Sequence, residues 1–310
     1  MIAYDGRAWL PLLFRMRGSV IPRLLPRIVA AAGVGVVAVL LLQREHFKIP
    51  TLAHTLVGVA LGLLLVFRTN ASYDRYWEGR RLLGGIVNRT RDLARQIAAY
   101  ISDPEARTEL GNLLRAFYWA AAQTLRQRED LDALRPLLTD ERLRTLASSS
   151  MRAPIVTAWI SSRMRDEANA GRLTEQRLVA LDANISVLND SLGGAERILR
   201  TPIPFAYAQH IKIFVVLFCF SAPFAMVDIM GWATPVASAL LALALFGIDE
   251  IGVEIEDPFG DDPNDLPLDA IGAGIDRAVI DILAAAPYSV ETGRHAPISA
   301  AAPADISARV

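Results

Sequence analysis

The sequence predicts an all-α membrane protein in which four transmembrane helices form two hairpins that flank a helical cytoplasmic domain. Three observations support this fold class. Four long apolar runs occur in two pairs, one before residue 68 and one after residue 210. The 310 residues are 53% hydrophobic and 21% charged, which suits a membrane protein with a sizeable water-exposed part. Between the two pairs, apolar residues recur at spacings of three and four, as they do in amphipathic helices.

The first transmembrane hairpin is predicted at residues 24–67. Residues 1–27 carry five arginines and one acid, and an uncharged run follows as far as Leu42. A secretory signal is disfavoured because the basic region is long and no small-residue cleavage site follows that run. The second span, Thr51–Phe67, has seventeen uncharged residues, enough to cross most of a bilayer as a helix. The charged run after it continues the helix into water, since charges at depth in lipid are costly.

Lysine and arginine are unevenly distributed around these two spans. Five precede the first span, two lie in the short loop after it, and seven lie between Arg68 and Arg95. By the positive-inside rule, the N-terminal segment, 1–23, and the chain after Phe67 lie in the cytoplasm.

Residues 68–210 are predicted to form the helical cytoplasmic domain. They are polar with helix-type periodicity, and Asp103-Pro104 gives a helix start signal. The second transmembrane hairpin is predicted at residues 211–248, where Asp228 separates two uncharged runs. The first of these runs, Ile213–Val227, spans only ~22 Å, so its helix must extend further to cross a ~30 Å hydrocarbon core.

Beyond the second hairpin we expect a cytoplasmic acidic loop and helix, 249–286, and a disordered tail, 287–310, poor in large apolar residues. The loop has nine acids between Asp249 and Asp269 and no lysine or arginine. Carboxylate-rich loops can bind a hard cation such as Ca²⁺, although this spacing is not that of an EF-hand. The weak metal candidates are Asp261, Asp262 and Asp265. The favoured alternative is a solvated acidic turn that meets the arginines after Phe67.

Val59, Leu63 and Phe67, hereafter the apolar stripe, recur every four residues in the second span and therefore share one helix face. Gly58 and Gly62 form a neighbouring stripe of small residues, which lets helices approach closely in lipid. Two interpretations are open from the spacing alone. The apolar stripe is either an ordinary lipid-facing or helix-packing surface, or it lines a hydrophobic constriction of an oligomeric pore, which can gate by dewetting.

Several classes of chemistry have no signal in the sequence. The net charge of −1 argues against nucleic acid as a partner. One cysteine, Cys219, excludes an intrachain disulfide. The four histidines stand far apart, and the chain has no phosphate-binding loop, nucleophile elbow or HExxH motif. We therefore expect neither an enzyme nor a cofactor.

Three stretches of sequence carry a family resemblance. They are FRTNASYDRYWEGRRLLGGIVNRTRDLAR from Phe67, NDSLGGAERILRTPIPFAYAQH from Asn189, and EIEDPFGDDPNDLPLDAI from Glu254. In order and spacing they resemble the three signature regions of the bestrophin ion channels, in their bacterial branch. The resemblance covers about residues 5–285 and includes the two-plus-two membrane layout.

This resemblance implies a homopentamer in the lipid bilayer of the bacterial inner (plasma) membrane, with N- and C-termini cytoplasmic. It implies one central pathway for small monovalent ions, chloride by family, with monovalent cations such as sodium as the alternative in the bacterial branch. It further implies that the apolar stripe forms a hydrophobic neck in that pathway. Ile203, which lies between Pro202 and Pro204, would form a second, cytoplasmic aperture, whereas local sequence alone predicts a plain connecting loop there.

Two features of the chain bear on this implied function. Animal bestrophins carry consecutive acids after their PFG motif, which form a calcium clasp, whereas Pro263 and Asn264 interrupt the acids here. Calcium activation is therefore not expected. A function of another class is a membrane-anchored scaffold or sensor, because the predicted cytoplasmic domain is larger than a simple pore needs.

Overall fold

The computed structural model describes residues 5, 7, 9–45 and 50–285, and within that part of the chain the regular structure is entirely helical. The predicted disordered tail, 287–310, lies outside the described residues. The helices in chain order are α1 (Trp9–Leu13), α2 (Ile21–Glu45), α3 (Thr51–Tyr100), α4 (Pro104–Leu125), α5 (Asp140–Ala147), α6 (Arg152–Asn169), α7 (Glu175–Arg200), α8 (Phe205–Met230), α9 (Thr234–Glu256) and α10 (Leu268–Ala285).

The apolar runs lie on α2, α3, α8 and α9, as the sequence predicts. In the described part of the chain, three helical stretches are long and apolar enough to cross a membrane: Ile21–Leu41, Thr51–Tyr100 and Phe205–Glu256. The third stretch contains two helices, α8 and α9, joined by a short turn at Gly231–Ala233. Gly231 adopts a φ of 49°, a conformation that glycine tolerates better than other residues, so the turn between these helices is tight.

Helix α8 is longer than its apolar core. The uncharged run that begins at Ile213 is extended to 26 residues, Phe205–Met230, or about 39 Å. This confirms that the helix reaches beyond the run to cross a bilayer. Helix α9 also continues eight residues past the predicted end of the hairpin at Ile248, as far as Glu256. The acids of this extension form ion pairs with arginines on α2 and α3.

Two separate hydrophobic cores are joined by α3, which is 50 residues long. The membrane-side core packs α2, α3, α8 and α9 around Leu61, Leu65 and Ile211. The second core lies on the side predicted to be cytoplasmic and is hereafter called the cytoplasmic core. It packs the second half of α3 together with α4, α6, α7 and α10, and Phe117 is fully buried in it. At about 75 Å, α3 is long enough to take part in both cores as one continuous helix.

Helix α4 starts at Pro104, as the Asp103-Pro104 pair predicts. Asp103 caps the helix, its carboxylate accepting hydrogen bonds from the N–H groups of Glu105 and Ala106 at 3.4 and 3.3 Å. Pro104 occupies the first helical position, where its missing N–H costs nothing. The short helix α1, by contrast, was not predicted.

Candidate functional site

The apolar stripe lies on a face of α3 that has no partner among the residues that the structure describes. Val59, Leu63 and Phe67 are 70%, 55% and 56% exposed. Leu61 and Leu65, on the opposite face, are almost fully buried against the membrane-side core. One side of α3 therefore holds the fold together, and the other is free to contact lipid, water or another copy of the chain.

This unpartnered surface, hereafter the open face of α3, is longer than the apolar stripe. Its exposed apolar and aromatic side chains are Leu52, Leu56, Val59, Leu63, Val66, Phe67, Tyr73 and Trp77. Tyr73 and Trp77 lie beyond the uncharged span, in the part of the helix predicted to be in water. A large exposed apolar patch in water marks an interaction surface.

The small residues beside the stripe behave differently from one another. A Cβ atom added to Gly58 would come within 2.8 Å of the Phe218 ring, so the lack of a side chain allows α3 and α8 to approach closely. The same construction at Gly62 meets no atom within 4 Å. One position of the predicted small-residue stripe thus serves close packing inside the chain, and the other does not.

Arg68 follows the apolar stripe directly and is only 2% exposed. Its Nε lies 3.1 Å from Asp249 Oδ1, and its Nη2 donates to Glu256 Oε2 at 3.3 Å. Lys212 Nζ, from α8, donates to the second oxygen of Asp249 at 3.2 Å. These charges join α3, α8 and α9 where the membrane-spanning helices end.

This buried group of charges is absent from the predicted site residues. The sequence does contain a signal that Arg68 is buried. Arg68 lies three residues after Leu65 and seven after Leu61, which places it on the packed face of α3. The partners on α9 are about 180 residues away in sequence, and no local pattern indicates them.

Ile203 is half-buried in a segment that is held from two sides. Its backbone N–H donates to Glu256 Oε1 at 3.1 Å. Arg75, on α3, donates to the carbonyl oxygens of Ile198 and Thr201 at 2.7 and 2.5 Å, just before this segment. The structure therefore connects the predicted aperture residue to the helix that bears the apolar stripe.

The acids of the loop after α9 meet arginines, but not the predicted ones between Arg68 and Arg95. Asp261 pairs with Arg128 at 2.7 Å and with Arg126 at 3.3 Å, and Asp262 pairs with Arg23 at 3.4 Å. Two of the predicted arginines contact α9 instead. Arg68 pairs with Asp249 and Glu256, and Arg75 donates to the backbone carbonyl of Glu256. The acidic segment thus fastens the N-terminal region and α4 to the end of α9.

The three weak metal candidates do not converge on one point, and among the described residues no group of three or more His, Cys, Asp or Glu side chains is placed to hold a metal ion. Asp265 is buried and accepts a hydrogen bond from the Asp262 N–H at 2.7 Å. Burial, together with the neighbouring carboxylates of Asp262, Asp257 and Glu254, raises the pKa of Asp265 to about 6.

The fold and this site define an α-helical integral membrane protein whose longest helix presents an unpartnered apolar face. The sequence matches the bacterial/fungal bestrophin family over residues 1–281. The chain belongs to that family, which is one of membrane ion channels.

Individual relatives agree with this assignment. The chain is 41% identical over 285 residues to the voltage-dependent anion channel-forming protein alr2987 of a Nostoc species, covering 90% of this chain and 93% of the relative. It is 34% identical to the voltage-dependent anion channel-forming protein YneE of Escherichia coli K12, covering 91% and 93%. A crystal structure of a bacterial bestrophin homologue from Klebsiella pneumoniae superposes with a TM-score of 0.80 at 31% identity, covering 87% of this chain and 100% of that one.

Proposed function

We propose that the protein is a homopentameric channel that conducts small monovalent ions passively through a central pore. The apolar stripe forms its hydrophobic neck, and Ile203 forms its cytoplasmic aperture. The observation that carries this proposal is the open face of α3, because it presents the stripe outward from the chain's own core. The proposed location is the bacterial inner membrane, with both termini in the cytoplasm.

Self-association is supported by exposed aromatic residues outside the membrane span. Tyr73 and Trp77 are 57% and 51% exposed. A lipid-facing role explains exposed Val and Leu within the span, whereas Tyr73 and Trp77 lie beyond the uncharged run on the same open face of α3. Contact with neighbouring copies of the chain would remove them from water, at a gain of ~25 cal/mol for each Å² of apolar surface.

The proposed neck acts by excluding water. Five copies of Val59, Leu63 and Phe67 around one axis would surround a passage that has no hydrogen-bond partners for an ion's hydration shell. Such a constriction closes when it dries and conducts when it widens enough to hold water. The stripe carries no charge, so it opposes cations and anions alike and does not set the sign of the permeant ion.

The sign of the permeant ion would be set by the groups that follow the neck along the pathway. The relatives named above are called anion channel-forming, which favours chloride. The stripe, however, continues along the same helix face to Asn70 and Asp74, three and seven residues after Phe67, and both are exposed. A ring of carboxylates at that level favours cations such as sodium.

We expect Asp74→Asn to shift selectivity towards chloride, whichever ion the native channel prefers. The change removes one negative charge per subunit from the cytoplasmic end of the pathway. The reversal potential in a tenfold NaCl gradient should move by roughly 10 mV, within a range of about 59 mV on either side for ideal selectivity. Asp166→Asn, on the exposed surface of α6, is the matched control and should leave the potential unchanged. Equal shifts of the reversal potential in the two variants would show that Asp74 does not line the ion pathway.

We expect Ile203→Ala to change unitary conductance or selectivity with little effect on how often the channel opens. The substitution shortens a side chain at the aperture, but the backbone of that segment stays attached to Glu256 and Arg75. Single-channel recording separates the two quantities. A loss of current in protein that still assembles would argue against Ile203 as a lining residue.

Flux into liposomes tests the proposal as a whole. Purified protein reconstituted into liposomes should dissipate a chloride or sodium gradient across their membrane without an energy source. The competing function, a membrane-anchored scaffold or sensor, is favoured by the large helical body around the cytoplasmic core. Protein that gives no flux, and stays silent after Leu63→Ala, would support the scaffold instead.

A further inference from the structure

Each of the four uncharged runs is bounded at one end by a charged residue, and these charges lie close together in the folded chain. Arg27 and Lys212 precede the runs on α2 and α8. Arg68 and Asp249 follow the runs on α3 and α9. Asp249 contacts both Arg68 and Lys212, at 3.1 and 3.2 Å. Arg27 pairs with the next residue of α9, Glu250, at 3.0 Å. The four helices therefore leave the hydrocarbon region together, and the phospholipid headgroups of that leaflet lie at this level.

A cavity of about 200 Å³ lies between α2, α8 and α9 beside these charges. Its charged lining residues are Arg27, Lys212 and Asp249, and its apolar ones are Val215, Val216, Phe220 and Phe246. Phe220 lies eight residues after Lys212, about 12 Å further into the span along α8. The cavity is therefore charged at the headgroup level and apolar towards the membrane interior, which is the polarity of a phospholipid.

The charges that the cavity presents to its surroundings are the cations. The side chains of Arg27 and Lys212 are 45% and 49% exposed, whereas those of their partners Glu250 and Asp249 are 14% and 4% exposed. An approaching ligand thus meets the two cations before it meets either carboxylate. This arrangement favours a ligand with negative charge.

Both cations can bind a phosphate oxygen without leaving a buried carboxylate unneutralised. A guanidinium has five N–H donors and an ammonium three, so each can hold its acid and a phosphate together. Asp249 also contacts Arg68, and that contact remains if Lys212 turns towards a ligand. The Arg27 guanidinium lies over the Phe246 ring, 5.6 Å from its centroid, which favours its place at the edge of the cavity.

The size of the cavity suits one part of a lipid. Pockets that enclose a whole drug-sized ligand measure about 300–1,000 Å³, so this one fits the phosphate and the atoms next to it. Further apolar side chains are exposed on the same helices, including Val29 and Val36 on α2 and Val216 on α8. Acyl chains can lie over such side chains while the phosphate stays at the cations.

We propose that this cavity binds the headgroup of an anionic phospholipid such as phosphatidylglycerol, with Arg27 and Lys212 holding the phosphate. Basic pockets between transmembrane helices are typical binding sites for anionic lipid headgroups. The proposal requires that the chain lies in a membrane, and it does not depend on which residues line the pore.

Native mass spectrometry of the assembled full-length protein in detergent, titrated with phosphatidylglycerol, tests the two cations. The native protein should bind phosphatidylglycerol more tightly than phosphatidylcholine. Lys212→Gln and Arg27→Gln should each weaken phosphatidylglycerol binding about fivefold, which corresponds to about 1 kcal/mol for each cation. Lys212→Arg keeps the charge and should bind like the native protein. Equal affinities for the two lipids, or native affinity in both glutamine variants, overturn the proposal.

Filling the cavity separates a built site from general surface charge. Val216→Trp places a large side chain in the cavity and leaves both cations in place, so phosphatidylglycerol binding should fall at least as far as in Lys212→Gln. Leu217→Trp is the matched control, because Leu217 is the next residue of α8 but does not line the cavity. Native binding in Val216→Trp, or an equal loss in Leu217→Trp, overturns the cavity as the site. If Val216→Trp does not assemble, the two glutamine variants decide.

Two other occupants of the cavity give different results in the same assay. Inorganic phosphate, added at constant ionic strength, should leave the lipid bound, and displacement of the lipid would show a site for a soluble anion instead. A second copy of the chain seated on the cavity would exclude lipid from the native oligomer, and Val216→Trp would then dissociate it. Either result overturns the lipid site.

Discussion

Replacing Leu63 or Phe67 with alanine is expected to raise ion flux through the channel roughly tenfold, equivalent to about 1.4 kcal/mol of barrier. Each change shortens a side chain that excludes water from the proposed neck, and five copies act together at one level. A wider passage holds water more readily, and a hydrated passage conducts. The rise should appear as higher conductance or open probability in planar bilayers, and as faster flux into liposomes.

Leu65→Ala provides the matched control for this experiment. Leu65 is the same residue type on the same helix, two positions from Leu63, but it is buried in the membrane-side core. Its truncation leaves a cavity inside the chain and should cost about 2–5 kcal/mol of stability without raising flux. A fall in current for assembled Leu63→Ala protein, or an equal rise in Leu65→Ala, would show that the apolar stripe does not face the ion pathway.

The elements of this fold could be predicted because their signals are local. The uncharged run that ends at Phe67 and the charged run that follows it predict one helix passing from lipid to water, and α3 is that helix. Asp103-Pro104 marks the start of α4 by a capping interaction that involves neighbouring residues only. The sequence also predicts that the residues of the apolar stripe share one face of α3, since they recur every four residues.

The contacts between distant segments could not be predicted in the same way. The spacing from Leu61 and Leu65 places Arg68 on the packed face of α3, but nothing near it in the sequence identifies its partners. Asp249 and Glu256 lie on a helix that packs beside Arg68 only in the folded chain. The acidic loop shows the same difficulty. Its acids were expected to meet the arginines after Phe67, but Asp261 pairs with Arg126 and Arg128, which lie just after α4. Charge patterns indicate that partners exist, and tertiary packing selects them.

Arg68→Ala is expected to destabilise the protein by about 3–5 kcal/mol, the largest stability effect among these substitutions. Asp249 lies buried beside Arg68, and Lys212 alone would remain to neutralise it. Chemical denaturation in detergent measures the loss, and size-exclusion chromatography reports whether the oligomer survives. Arg68→Lys should recover only part of the stability, because an ammonium group cannot reach Asp249 and Glu256 with the two arms of a guanidinium.

Arg27→Ala separates the effect of burial from that of charge. Arg27 also pairs with an acid of α9, Glu250, but its side chain is 45% exposed. Water screens such a pair, so the loss should stay within about 1 kcal/mol. Arg68→Met combined with Asp249→Leu removes both buried charges and should recover much of the stability that Arg68→Ala loses. If Arg68→Ala costs no more than Arg27→Ala, the charges at the end of the membrane span do not hold α3 against α9, and the rigid attachment of the neck to the rest of the channel would have to lie elsewhere.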